Sequence, residues 1–288
     1  EDNASFDDII SEVNLYGSSE DGLGNKIYYQ RDGGINPNSN AYESSNTNFA
    51  AYASAEVLIT EGLKTIIGVR MERFEQWHSG MNQTAASQLG NATDVAAIES
   101  LTQQIKSGEV EGAYLLENDQ VLNSTDFFPS LNAIYGLRDD QNIRFSFSKT
   151  IARPSFKELS YAQILDPVSN RIFNGSFFKY NDENGNVVWD GNLKETHINN
   201  LDLRWELFLN RGQLFSASVF YKTFDDPIEL VRIANSQTGN EFQPRNVGQG
   251  QLLGAELEFR KALNFVAPSL SDFSVYGNLT LVDSRIEM

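Results

Sequence analysis

The stretch NNLDLRWELFLN, residues 199–210, alternates apolar and charged side chains with a period of two. Its odd-numbered positions are all apolar: Leu201, Leu203, Trp205, Leu207 and Leu209. Asp202, Arg204 and Glu206 stand between them. Because successive side chains of a β-strand point to opposite faces, this stretch predicts a strand with one apolar and one charged face.

The same alternation recurs along the chain, so the sequence predicts an all-β protein with about eight strands. The other seven segments are 49–59, 63–72, 131–137, 143–148, 215–222, 253–260 and 273–281. Several are about 10 residues or longer, whereas ordinary strands have about 5–6. Strands of this length are typical of sheets that cross a membrane.

The connections between these strands alternate between short and long. Tight turns are predicted at 60–62, 138–141 and 210–213, with a fairly short connection at 263–271. Long connections are predicted at 78–120, 152–194 and 224–247, and residues 1–46 form an irregular polar stretch. Apolar residues at helical spacing predict a short helix within 91–106. We interpret Asp182–Asn186 as a hairpin turn rather than a calcium loop, because it lacks spaced ligands.

Composition narrows the possible functions. The 22 Lys and Arg residues against 39 Asp and Glu residues give a net charge of −17, which argues against nucleic acid as a partner. The chain contains no cysteine and only two histidines, His78 and His197, far apart in sequence. We therefore predict no metal site and no cofactor. Catalytic motifs are not recognisable, so we expect no enzymatic activity.

Two environments could explain the alternation. A soluble sandwich would bury the apolar face and leave the charged face in water. A transmembrane barrel would turn the apolar face to lipid and the charged face to a polar lumen. Strand length, the alternation of tight and long connections, and the length of the loops together favour the barrel.

In a barrel, the apolar residues of 201–209 face lipid and the charged residues face the lumen. A charged side chain in hydrocarbon costs several kcal/mol, whereas in a lumen it can pair with water, with another charge or with a domain that fills the pore. The residues that we predict to face the lumen, or a plug within it, are Arg70, Glu72, Arg144, Asp202, Arg204, Glu206, Glu256, Glu258 and Arg260.

Four segments resemble one known family. They are FAAYASAEVLITEGLKTIIGVRMERF (49–74), FSFSKTIARPSFKELS (145–160), GNLKETHINNLDLRWELFLNRGQLFSASVFYKTFDDPIE (191–229) and GAELEFRKAL (254–263). Each is similar to a block of the TonB-dependent outer-membrane receptors. The second carries the family motif Arg153, Pro154, Ser155 and Phe156 at a strand end. Together the segments extend over most of residues 47–288.

The resemblance implies an antiparallel up-and-down transmembrane β-barrel segment, with tight periplasmic turns and long extracellular loops. Such receptors lie in the bacterial outer membrane. They take up ferric siderophores, cobalamin or other scarce nutrients, with energy delivered by the TonB complex. We recognise neither a plug domain, nor a TonB-binding segment, nor a terminal strand. The implied partners are therefore the plug and remaining strands of the same receptor, the TonB complex, a small nutrient and outer-membrane lipid.

Two alternatives belong to other classes: a secreted or surface-exposed soluble all-β ligand-binding module, and an outer-membrane barrel enzyme. Residues remain ambiguous within the leading interpretation too. Arg153 is either a structural anchor at the barrel rim or a ligand contact, and the anchor is favoured. The aromatic residues near the long loops could line the membrane interface or stack on a ligand. They are Trp77, Phe127, Phe128, Tyr161 and Trp189.

Overall fold

The computed structural model describes residues 15–20, 26–30, 38–92, 94–166, 168–181, 184–209, 213–233 and 240–287. Strands are numbered along the chain, and β1 (Leu15–Glu20) pairs with β2 (Lys26–Gln30) in a separate hairpin. Eight long strands form the main sheet: β3 (Tyr42–Thr60), β4 (Leu63–Met81), β5 (Leu115–Arg138), β6 (Gln141–Ala152), β11 (Thr196–Leu209), β12 (Gln213–Asp225), β15 (Gln249–Ala262) and β16 (Ser274–Ile286).

The main sheet confirms the eight predicted strands and their up-and-down order. Its strands lie in the order β16-β15-β12-β11-β6-β5-β4-β3, and every neighbouring pair is antiparallel. Each strand therefore pairs with its neighbour along the chain among the eight, as in a meander. Within the described residues, β3 and β16 form the two edges.

The two faces of this sheet are inverted relative to a soluble domain. Along β11, apolar Leu201 and Leu203 are 41% and 47% exposed, whereas the charged Glu206 is only 7% exposed. The same is true of β4, on which Ile67 and Val69 are exposed while Glu72 is buried. A sandwich would bury the leucines, so this exposure argues against the soluble-module alternative. We refer to the two sides as the apolar face and the enclosed face.

The connections alternate as predicted. Turns of two residues join β3 to β4 at residues 61–62 and β5 to β6 at 139–140, and two 3-10 turns, Leu263–Phe265 and Pro268–Leu270, lie between β15 and β16. The tight turn predicted at 210–213 falls largely on residues 210–212, which lie outside the described residues. The long connections, 82–114, 153–195 and 226–248, emerge at the opposite end of the sheet, which we name the loop end.

Several strands extend beyond their predicted limits. β5 begins at Leu115, although alternation was recognised only from residue 131, and β4 continues to Met81. Strand β3 begins at Tyr42, and β1 and β2 are also strands, so the prediction of an irregular stretch up to residue 46 is wrong in those segments. Past the apolar band both faces of these strands are polar, so the alternation that identifies a strand disappears there.

Two helices occupy the connection between β4 and β5. Helix α1 (Gln83–Gly90) begins after Asn82, whose side chain accepts a hydrogen bond from the Ala85 amide. Helix α2 (Val95–Ser107) confirms the helix predicted within 91–106 and begins after Asp94 in the same way. Their small apolar core contains Ala85, Leu89, Ile105 and Ala113. In the described part of the chain, no helix is both long and apolar enough to cross a bilayer.

A second, smaller sheet joins the other two long connections. The sequence did not predict it. It has the order β13-β14-β8-β7 and contains β7 (Gln163–Asp166), β8 (Arg171–Asn174), β13 (Ile228–Arg232) and β14 (Glu241–Asn246). β9 (Tyr180–Asn181) and β10 (Val187–Trp189) form a hairpin beside it. The hairpin turn predicted at Asp182–Asn186 falls partly on residues 182–183, which lie outside the described residues.

The inverted faces predict opposite responses to two adjacent substitutions in the intact receptor. Leu203→Arg places a charge on the apolar face, where it costs about 2–4 kcal/mol near the membrane midplane. Asp202→Asn changes the enclosed face and should be mild. We expect Leu203→Arg to reduce the folded receptor recovered from outer membranes, and Asp202→Asn to leave it near the wild-type level. Normal assembly of Leu203→Arg together with failure of Asp202→Asn would reverse the assignment of faces.

Candidate functional site

The charged residues singled out in the sequence share the enclosed face of the main sheet. Arg144, Arg204 and Glu256 fall in one cross-strand row, and Glu206 and Glu258 fall in the next. Directly opposed residues of antiparallel strands point to the same face, so these five share the enclosed face. The other four occupy the same alternating positions: Arg70 and Glu72 on β4, Asp202 on β11, and Arg260 on β15.

Ion pairs join four of these residues across β6, β11 and β15. Arg144 and Arg204 lie directly opposite each other and would repel. Glu206 lies between them, with Oε2 at 2.6 Å from Arg144 Nε and Oε1 at 3.0 Å from Arg204 Nε. Arg204 Nη2 also reaches Glu258 Oε2, in the next row, at 2.7 Å. A single carboxylate therefore permits two arginines to occupy the same row.

A denser cluster surrounds Arg153 near the loop end. Its Nη1 lies 2.8 Å from Glu72 Oε2, its Nε lies 2.8 Å from Glu195 Oε1, and its Nη2 lies 3.7 Å from Asp126 Oδ2. The guanidinium also stands 4.3 Å above the Phe74 ring, a cation–π arrangement. The Arg153 side chain is 15% exposed, so these contacts are shielded from water.

The Arg153 cluster connects three separate parts of the chain. Glu72 lies on β4, Asp126 lies on β5, and Glu195 immediately precedes β11. Two further donors share its carboxylates: Arg70 Nε lies 2.6 Å from Glu72, and Ser124 Oγ lies 3.0 Å from Glu195. Nε and Nη1 of the guanidinium bond protein carboxylates, and Nη2 makes only the 3.7 Å contact with Asp126. The geometry therefore favours the anchor interpretation of Arg153 over a ligand contact.

Pro154, Ser155 and Phe156, the remaining residues of the family motif, lie just beyond the end of β6. β6 ends at Ala152, and Pro154, which has no N–H to donate, is buried just beyond it. Ser155 and Glu158 then form a reciprocal turn: the Ser155 amide donates to Glu158 Oε2 at 2.7 Å, and the Glu158 amide donates to Ser155 Oγ at 3.3 Å. Phe156, between them, is half-buried. The motif therefore turns the chain out of the barrel wall.

An aromatic cluster covers the enclosed face at the loop end. The His78 ring stacks on Tyr42 and meets Phe177 edge-on, with centroids 5.4 Å apart in both pairs. Phe177 in turn packs against Tyr161 at 5.2 Å, and Tyr161 stacks on Tyr114 at 6.1 Å. Burial raises the pKa of Tyr161 well above its usual value, so this phenol remains neutral. The cluster joins the strands of the wall to the long connections.

A cavity of about 300 Å³ opens beside this cluster. Tyr161 and Phe177 supply apolar walls, while Asp119, Asp190 and Lys179 supply charges. Hydrogen bonds, chiefly from the backbone amide of residue 192, hold the pKa of Asp190 below its usual value. Lys179 Nζ lies 5.4 Å from the centre of a neighbouring aromatic ring. We refer to this open cavity as the outer cleft; its lining combines two aromatic rings with acidic, basic and amide side chains.

The ambiguous aromatic residues divide between the two interpretations. Trp77 and Phe127 lie on the apolar face at the outer part of their strands, and Phe127 is exposed, a position that suits the membrane interface. Phe128 lies on the enclosed face. Tyr161 and Trp189 instead pack within the long connections, where Trp189 donates a hydrogen bond to the Ser176 carbonyl.

Sequence reasoning missed two members of the Arg153 cluster. Asp126 could have been placed on the enclosed face by extending the alternation of β5 backwards past residue 131. Glu195 carried no signal, because it lies in a connection and only the fold brings it to Arg153. The outer cleft was also missed, since its residues come from β5 and from separate parts of 159–193.

A family comparison agrees with this architecture over almost the whole chain. The family model described as TonB dependent receptor-like, beta-barrel matches residues 3–287. The chain belongs to the TonB-dependent receptor β-barrel family. This is a family of transporters and receptors of the Gram-negative outer membrane, rather than a class of enzymes.

Solved receptors support the same fold. The copper transporter OprC has a TM-score of 0.54 at 14% identity, with 93% of this chain and 33% of OprC covered. The ferric citrate transporter FecA in its unliganded form has a TM-score of 0.51 at 15% identity, with 85% of this chain and 27% of FecA covered. This receptor segment thus spans about a third of the matched proteins. A search of curated protein sequences finds no significant match.

The Arg153 cluster predicts a large loss of stability on removal of its cation. Arg153→Met leaves three shielded carboxylates without their shared partner, and breaking such a group costs about 3–5 kcal/mol. Arg285→Met is the matched control, because Arg285 is 74% exposed in its pair with Asp283 and exposed pairs contribute little. Denaturant unfolding of the purified intact receptor in detergent should separate the two variants. Equal stability of the two variants would contradict an anchoring role for Arg153.

Proposed function

We propose that this segment is part of the barrel wall of an outer-membrane receptor for TonB-dependent, energy-coupled uptake of a scarce nutrient such as a ferric siderophore. The observation that carries the proposal is the inverted main sheet, whose apolar face suits lipid and whose charged face suits a polar lumen. Membership of the receptor family supports the uptake class.

The proposal assigns the nine charged residues of the enclosed face to the lumen of the complete barrel. Four of them already form ion pairs with one another: Arg144, Arg204, Glu206 and Glu258. Asp202 and Arg260, by contrast, form no ion pair with the described residues. Their charges are therefore available to a plug domain, which is the natural occupant of a lumen in this family.

The two edge strands indicate a second partner, the remaining strands of the same receptor. Strands β3 and β16 each have one unpaired side within the described part of the chain. Unpaired backbone groups cannot remain in hydrocarbon, because no water is present to satisfy them. We infer that the remaining strands of the receptor pair with these edges and close the barrel.

The outer cleft is the proposed contact for the nutrient. It lies at the loop end, which corresponds to the extracellular side in this family, and it combines aromatic walls with two acidic groups and one basic group. Such a mixture suits a compact ligand that has both an apolar part and polar groups. We propose that the cleft supplies one wall of the complete site.

Uptake of iron chelates tests the proposal directly. Cells that lack all related receptors should accumulate at least one radioactive ferric chelate from a panel when they express the intact receptor. Accumulation should stop when TonB is deleted. Asp119→Ala and Lys179→Ala should weaken chelate binding to the purified receptor, whereas Arg285→Met, which does not line the cleft, should not. TonB-independent uptake would contradict energy coupling.

The orientation of the loops is tested separately. A short epitope at Gly90, in the connection between β4 and β5, should be labelled by antibody on whole cells. The matched epitope at Gly62, in the tight turn between β3 and β4, should be labelled only after the outer membrane is opened. Surface labelling at Gly62 instead of Gly90 would invert the proposed topology.

A further inference from the structure

A buried histidine lies within the aromatic cluster at the loop end. The His78 side chain is only 1% exposed. Its Nδ1 lies 2.5 Å from the Ser44 hydroxyl. Its Nε2 is buried and has no hydrogen-bond partner among the described residues. The ring therefore forms a hydrogen bond through one nitrogen only, and nothing polar surrounds the other nitrogen to support a charge.

Uncharged groups enclose this imidazole closely. Tyr42, from β3, stacks on it, and Phe177, from the connection 153–195, meets it edge-on, both with ring centroids 5.4 Å away. On its own strand, Nε2 lies over Gly80, where a Cβ would come within 2.8 Å of it. The missing side chain of Gly80 thus provides the space that Nε2 occupies.

The charged groups around this cluster are not paired with His78. Asp119 on β5 lies opposite His78 in register. Its carboxylate is exposed, however, and accepts a hydrogen bond from the Glu117 amide at 2.7 Å. No ion pair joins Asp119 to His78 in the described part of the chain. Lys179, in the connection 153–195, is a cation and would oppose a second positive charge nearby.

Protonation would place a charge on a ring that is shielded from water and lacks an acidic partner. The outward positions of β4 become polar at Arg73 and Glu75, so His78 lies beyond the apolar band of that strand. Burial lowers the pKa of His78 from its ordinary value of 6.5 to about 4. The enclosed ring therefore binds fewer protons than a released ring between these two pH values.

This difference in proton binding gives the ring contact a defined pH dependence. The enclosed state is fully favoured above about pH 6.5, where both states are neutral. Each pH unit below that value shifts the balance by up to about tenfold toward release, until the enclosed ring itself takes a proton near pH 4. Acid therefore weakens the contacts of His78, and neutral pH restores them.

The same ring contact attaches one side of the outer cleft. Phe177 lines the cleft together with Tyr161, and the two rings pack at 5.2 Å. On its other side Phe177 meets His78, which belongs to β4 of the main sheet. A charge on His78 therefore acts directly on the support of a lining residue.

We propose that neutral His78 attaches the Phe177 side of the outer cleft to the barrel wall, and that acid breaks this attachment and lowers the affinity of the cleft for its nutrient. The loss of affinity rests on the proposed function, whereas the acid sensitivity of the ring contact does not. Histidine suits this role because its charge changes within the pH range that bacteria meet.

A spin label close to Phe177 measures the attachment in the intact, purified receptor. Lys179→Cys, at an exposed position two residues further on, carries the label, and this segment contributes no other cysteine. We expect low label mobility at about pH 7.5 and rising mobility as the pH falls from about 6.5 to about 4. His78→Phe keeps an aromatic ring that takes no proton, so its label should remain immobile over the whole range.

His197→Phe is the matched control, because His197 is the other histidine of this segment and is exposed on β11. It should keep the wild-type transition. His78→Gln is uncharged and can still bond Ser44, so it replaces His78→Phe if the phenylalanine variant does not assemble. Absence of a transition in the wild type, or an undiminished transition in the His78 variant that assembles, overturns the proposal.

Binding measurements separate failure of this proposal from failure of the uptake function. The dissociation constant of the radioactive ferric chelate that the uptake panel selects is measured at about pH 7 and about pH 5. Wild type and the His78 variant share the same buffers, so effects of pH on the chelate itself cancel. We expect the wild type to lose about tenfold more affinity than the variant.

Equal losses of affinity would show that the ring contact does not support the cleft, and would overturn the proposal. If no chelate of the panel binds at either pH, the proposed uptake function is wrong and the loss of affinity falls with it. The label mobility still decides in that case whether the His78 contact is sensitive to acid.

Discussion

Hydrocarbon tolerates neither unpaired backbone groups nor isolated charges, and this constraint governs the whole main sheet. Every neighbouring pair of its eight strands is antiparallel and hydrogen-bonded, so the backbone is satisfied between strands. The side chains then divide by face: Leu201 and Leu203 lie outward, while Glu206 is enclosed. In the proposed membrane setting, the ordinary rule of an apolar core is reversed because the outer solvent is lipid.

Placing the charges on one face creates a second requirement, since they must find partners there. Glu206 bridges Arg144 and Arg204, which would otherwise repel each other across adjacent strands. At the loop end, Arg153 gathers Glu72, Asp126 and Glu195 from three parts of the chain. The same cluster connects, through residues 194–195, to Asn246 in the smaller sheet of the long connections, so the wall and the loops form one polar framework.

The sequence predicted the main sheet well because a lipid-facing strand must alternate along its whole apolar band. It did not predict the small sheet, because strands of four to six residues carry little periodicity and β8 finds its partner β14 in another connection. The Arg153 cluster was only partly visible: its arginine belongs to a family motif, whereas Glu195 reaches it through the fold alone. No sequence pattern indicated a structural role for Gln243, because that role consists of hydrogen bonds to three carbonyls that are distant in sequence.

The orientation of the two faces is measured most directly by nitroxide scanning along β11. Single cysteines at 201 through 207 in the intact receptor, each spin-labelled and reconstituted in bilayers, report their exposure to oxygen in lipid and to a water-soluble nickel chelate. We predict high oxygen accessibility at the odd positions and high nickel accessibility at the even positions, with a period of two. The opposite phase, or no alternation, would contradict an outward apolar face.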